Sequence, residues 1–182
     1  MKFFLTKYFR CIRSNLVKTP IIIFIIILSV VLLSFYEFGG YGANFQESVR
    51  KLVQDIRRTE EMAMLVEEFE GSIPRGGYGV NFDLSNPDNY ILFADNGNCI
   101  YDSGDIIIEE IKMQGNVKIS ELYEGGDRME NVFPLNVVFT PPNPIVNINL
   151  GKKNSGKIIL RNEETNETAA IYINLAGLIE IQ

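Results

Sequence analysis

The chain has 182 residues, a net charge of −6, two cysteines and no histidine. That length allows one domain with a sizeable core, while the missing histidine excludes Ser-His-Asp triads, Cys-His dyads and His-based zinc sites. Residues 1–36 hold Lys2, Lys7, Arg10, Arg13 and Lys18 and no acid, so the net −6 less this +5 leaves a body of −11, which repels phosphate backbones and excludes nucleic acid as a partner.

Residues 1–19 read as a basic cytoplasmic leader, and 20–36, PIIIFIIILSVVLLSFY, as a short uncharged transmembrane helix. Thr19 is placed to cap it and Pro20 to open it, where a missing N–H costs nothing. The basic flank sets the N-terminus in the cytoplasm and the remainder outside. A cleaved signal peptide competes with this reading, because Gly40 and Gly42 offer small residues at a cleavage spacing. Cys11 and Cys99 fall on opposite sides of the apolar run, so no intrachain disulfide is expected.

A Gly-rich linker at 37–43 leads to Asn44, which caps an amphipathic helix over 44–70. Its apolar face is Phe45, Val49, Leu52, Ile56 and Ala63; its charged face includes Glu47, Arg50, Lys51, Arg57 and Arg58. Gly71, Pro74, Gly76 and Gly77 end it. A β-rich head over 71–182 follows, with strands at Gly79 to Leu84, Tyr90 to Ala94, Ile106 to Met113 and Val117 to Leu122. Further strands are placed at Val132 to Thr140, Ile145 to Leu150, Lys157 to Arg161, and Thr168 to Ile181 with a turn at Ala176-Gly177. The expected fold class is α+β, a transmembrane helix and then an amphipathic helix packed on an antiparallel sheet or small sandwich.

Three stretches carry a family likeness. KLVQDIRRTEEMAM at Lys51 to Met64, YILFADNGNCIYDSGDIIIEEI at Tyr90 to Ile111 and IYINLAGLIEIQ at Ile171 to Gln182, in this order behind a basic leader and an apolar helix, resemble the type IV pilin and type II secretion pseudopilin superfamily, nearest its minor GspH- and FimT-like group. The resemblance implies a non-enzymatic structural or assembly subunit in the cell envelope, whose partners are the membrane, other pilin-like subunits and assembly-platform proteins. It places peptidase processing near Lys18, Thr19 and Pro20, where the chain lacks the family's usual Gly and Glu. The alternative is a solitary membrane-anchored extracytoplasmic binding module, using loops such as Tyr123 to Val132 or Thr140 to Pro144.

Asp95, Asn98, Asp102 and Asp105 gather oxygen ligands in a short loop, a candidate calcium site that some pseudopilin loops would parallel, although Gly97 and Cys99 break the alternation of an EF-hand. The competing reading is a tight turn built on Asn-Gly and Ser-Gly. No other cofactor is expected. Gly151 to Lys157 has P-loop spacing, but Ile158 stands where a hydroxyl is needed and the segment runs into a strand, so it reads as a turn. Neighbouring Glu109 and Glu110, or Glu163 and Glu164, point apart and serve as solubilising charge. Asn166-Glu-Thr168 matches a glycan acceptor.

Overall fold

The structure, a computed structural model, describes residues 26–29, 44–129, 133–142, 145–149 and 153–182. The chain divides into two compact units, Met1–Gly42 and Ala43–Gln182. The second unit opens with helix α1 over 44–64 and continues as ten strands. They are β1 (Gly77–Phe82), β2 (Asn89–Asp95), β3 (Ile106–Lys112), β4 (Val117–Glu124), β5 (Asp127–Arg128), β6 (Leu135–Thr140), β7 (Ile145–Ile148), β8 (Ser155–Asn162), β9 (Thr168–Asn174) and β10 (Ile179–Ile181). They form two five-stranded sheets, sheet 1 in the order β3-β2-β1-β6-β7 and sheet 2 in the order β10-β9-β8-β4-β5. Every pairing is antiparallel.

Alternation along the strands sets the core. In sheet 1, Tyr78, Val80 and Phe82 stand level with Ala94, Leu92 and Tyr90 on one side and with Phe139, Val137 and Leu135 on the other. In sheet 2, Ile119, Leu122, Ile158, Leu160, Ile171 and Ile173 are buried in the same cluster. A bulge between Ile119 and Glu121 shifts the β4 register, and Ser120 Oγ closes it by donating to the Ile159 carbonyl at 3.1 Å. The inward stripe of α1, Phe45, Val49, Leu52, Ile56 and Ala63, completes the core.

The ends of α1 have local causes. In the first turn Ser48 Oγ donates to the Asn44 carbonyl at 3.0 Å, a bond within the helix and not a cap. At the end Val66 takes a positive φ of 53° and the Glu67 amide reaches back to the Met62 carbonyl at 3.1 Å. Glu67, Glu68 and Glu70 would oppose the negative end of a longer helix, so the expected span of 44–70 is shortened.

Two expectations are corrected here. Among the described residues the fold is not a transmembrane helix followed by a helix laid on one sheet: it is mostly β, two antiparallel five-stranded sheets with α1 as the one long helix. The reason is the frequency of turn clusters after Gly71, which cut the head into short strands. Single-pass localisation in the cell envelope is also corrected, since among the described residues no helix is long and apolar enough to cross a membrane. Crossing takes about 20 apolar residues; α1 has the length but carries Glu47, Arg50, Arg57 and Glu61 on its exposed side. The expected span 20–36 lies outside the described residues apart from the helical stretch 26–29, as do the leader 1–19 with Lys18 and Thr19, Pro20, and the linker 37–43.

Candidate functional site

The segment from Asp95 to Asp105 joins β2 to β3 and folds back over the outer face of sheet 1. That face is buried as well: Gly79, Asn81, Phe93, Asn136 and Val138 are all covered. Tyr101 supplies much of the cover, with its ring centroid 5.2 Å from that of Phe93 and its amide donating to Asn136 Oδ1 at 3.2 Å. Asn136 Oδ1 also accepts from Asn81 Nδ2 at 2.8 Å, and the Asn136 amide donates to Asn149 Oδ1 at 2.8 Å. Three asparagines on three neighbouring strands and loops therefore satisfy one another beneath the segment.

Asp95 is the hub of the turn. It is 1% exposed, and its carboxylate accepts the amides of Gly97 at 3.1 Å and Cys99 at 3.1 Å. Burial pushes its carboxyl above the ordinary range, assisted by the charge of Asp105 and opposed by the amide donors of Cys99, Gly97 and Asn98. Its close neighbour is Gly76, where a Cβ would stand 1.4 Å from Asp95 Oδ2. Cys99 holds a φ of 60°, and burial first, then the charge of Asp95, raises its thiol while a hydrogen bond to Thr140 opposes the rise.

The four candidate calcium ligands do share this segment, but their oxygens face its own donors. Asp105 accepts the amides of Asn96 at 2.9 Å and Asp102 at 2.8 Å; Asp102 accepts the Gly104 amide at 2.6 Å and Asn98 Nδ2 at 2.6 Å; Asn98 Oδ1 accepts the Ile100 amide at 3.0 Å. Among the described residues no group of three or more acidic or cysteine side chains is arranged to hold a metal ion. Asp95 is buried with its carboxylate turned to the amides of Gly97 and Cys99.

The remaining motifs separate. Glu109 pairs with Arg58 at 3.0 Å while Glu110 accepts from Asn89 at 2.7 Å, so the two acids serve different neighbours. Glu163 holds Lys118 at 3.0 Å, and Glu164 accepts from Asn116. In the P-loop-like stretch β8 begins at Ser155, a buried residue paired with Asn174, so a strand stands where a phosphate loop needs a helix; Gly151 and Lys152 lie outside the described residues. Asn166 sits at the β8–β9 turn with φ 59°, accepting from Arg161 Nη2 at 2.5 Å.

Three surfaces among the described residues carry distinctive chemistry. A cleft of about 240 Å³ is lined by Ile100, Met129, Phe133 and Asn149, with Phe133 62% exposed at its rim. A cleft of about 490 Å³ is lined by Leu84, Pro87, Lys118, Arg161 and Glu163. The outermost strands of sheet 1, β3 and β7, expose isoleucines. Comparison with known protein families, characterised proteins and solved structures gives no match. The assignment of function therefore rests on these residues.

Sequence reasoning missed the asparagine network and the cleft at Lys118 and Arg161. Asn81, Asn136 and Asn149 interrupt apolar runs, a signal of buried polar pairing that only the strand register joins. Lys118 and Arg161 become neighbours only through the β4–β8 pairing.

Proposed function

We propose that the chain is a non-enzymatic structural or assembly subunit of a pilin-like or pseudopilin-like machine, and that it meets its partner subunits through the edges of sheet 1. The observation that supports this reading is the exposure of Ile106 at 40% and Ile107 at 49% on β3, and of Ile145 at 66% on β7. An outermost strand presents unpaired backbone N–H and C=O groups, and one that also shows isoleucine is suited to adding a strand from another chain. Glu109 and Glu110 and the bulge between Leu92 and Phe93 keep β3 from pairing indiscriminately. The resemblance of Tyr90 to Ile111 and Ile171 to Gln182 to pilin-like sequences supports pilin-like chains as the class of partner.

The test is co-purification from the native host of wild type and of Ile107→Asp and Ile145→Asp. Loss of pilin-like chains from either variant, with an unchanged melting temperature, supports the reading. Recovery of the same partners by both variants contradicts it.

A further inference from the structure

One face of sheet 2 is half-exposed, and its charge is unlike that of the rest of the acidic body. Lys118 on β4, Arg128 on β5, and Lys157 and Arg161 on β8 share that face, by the registers Lys118↔Arg161, Tyr123↔Arg128 and Tyr123↔Lys157. Between the two β8 cations lies Ile159, level with Ala170 of β9. Tyr123 and Tyr172 flank Lys157 on the neighbouring strands, and Lys157 Nζ stands 4.4 Å from the Tyr123 ring centroid. The face thus has a cation at each end, a small apolar floor in the middle and an aromatic pair at one end.

The cations differ in what holds them. Lys118 is engaged by Glu163 at 3.0 Å and Asp88 at 3.8 Å, and Arg128 by Glu121 at 2.9 Å. Among the described residues Lys157 and Arg161 have no carboxylate partner within salt-bridge distance, Arg161 being held only by the neutral Asn166 Oδ1 at 2.5 Å and Lys157 by the Tyr123 ring. Arg161 also lines the cleft of about 490 Å³, together with Leu84, Pro87, Lys118 and Glu163, the last engaged by Lys118.

We infer that this face binds an extended acidic segment of a partner protein. One carboxylate enters the cleft at Arg161. A second, four residues further along the segment, reaches Lys157, and an apolar side chain between them rests on Ile159 and Ala170. The spacing carries the assignment to a peptide, because Lys157 and Arg161 are themselves four residues apart on a strand, roughly 13 Å at about 3.3 Å per residue. An extended chain repeats that distance. Glu121, Glu163 and Glu180 stand on or beside the same face and repel a continuous polyanion such as nucleic acid, so only spaced carboxylates are accepted. This surface belongs to sheet 2, and the inference stands or falls apart from the reading of the sheet 1 edges.

The test is fluorescence anisotropy of the full chain with a labelled decapeptide repeating Glu-Ser-Val-Ser, at low salt. Saturable binding is expected, weakened about tenfold or more in the double variant Lys157→Glu/Arg161→Glu and left unchanged by Lys112→Glu on β3. The milder pair Lys157→Gln/Arg161→Gln gives the same direction if the charge reversal disturbs folding. The inference is overturned if there is no saturable binding, if the β8 variants bind as wild type does, or if Lys112→Glu weakens binding equally. It is also overturned if single-stranded DNA or an acidic polysaccharide binds as tightly as the peptide, which would mark a general polyanion surface.

Discussion

Tyr90 of β2 donates its hydroxyl to the carboxylate of Asp55 on α1, and both side chains are buried. Lys51 reaches the same carboxylate from one turn away at 2.8 Å. Burial, followed by the Asp55 hydrogen bond and charge, drives the Tyr90 hydroxyl far above its ordinary range, so it stays a donor at every accessible pH. The pair fixes the rotation of α1 against sheet 1, with Arg58–Glu109 at 3.0 Å continuing the contact along the helix. Tyr90→Phe leaves Asp55 short of a donor in the core and is expected to lower unfolding free energy by about 1–3 kcal/mol in urea denaturation.

Leu52 is fully buried on the inward stripe of α1. Leu52→Ala removes its packing and leaves a cavity in the core, which is expected to cost about 2–5 kcal/mol by the same measurement. Gln54→Ala on the exposed side is the matched control, with an effect within about 0.5 kcal/mol.

The close approach of Gly76 to Asp95 makes a second kind of prediction. Gly76→Ala forces the Asp95 carboxylate away from the amides of Gly97 and Cys99. Faster hydrogen exchange at those two amides is expected, together with faster alkylation of Cys99 near pH 8, read at that residue by peptide mass spectrometry.

Asp95 also sets a pH dependence. Its carboxyl is raised in the folded chain by burial, so between the unfolded and folded pKa values the native state binds more protons than the unfolded chain. Its contribution to stability therefore falls as pH rises through that window, which opens at the ordinary carboxylate pKa and extends upward. Denaturation midpoints of wild type and Asp95→Asn, measured from pH 3 upward, should show this slope in wild type relative to the variant.

Calcium adds a third check on the same segment. With the oxygens of Asp95, Asp102 and Asp105 turned to neighbouring amides, millimolar calcium is expected to leave the melting temperature unchanged.

Much of the strand pattern was legible because it rests on local alternation. Ile106 to Met113 and Val117 to Leu122 were placed within two residues of β3 and β4, and the turn at Ala176-Gly177 separates β9 from β10 as read. The two-residue β5 carries no periodic signal, and it exists only because Tyr123 and Glu124 offer it a partner. Division into two sheets depends on which strands pair, a long-range choice that alternation does not encode; β1 with β6 and β4 with β8 are both non-neighbours in sequence. The site was less legible still. Acidic residues from Asp95 to Asp105 resemble metal ligands as letters, but the backbone turns them onto its own amides. Lys157 and Arg161 are unremarkable in sequence and acquire meaning only beside Tyr123, Tyr172 and the cleft.

Photo-crosslinking from the edge of sheet 1 in the native host tests the proposed function most directly. With a photoreactive residue in place of Ile107, adducts to pilin-like or assembly-platform chains are expected, and the same group at Glu61 on the exposed side of α1 should give none. Absence of such adducts from position 107, or equal yields from both positions, would contradict the assignment of the sheet 1 edge to partner contact.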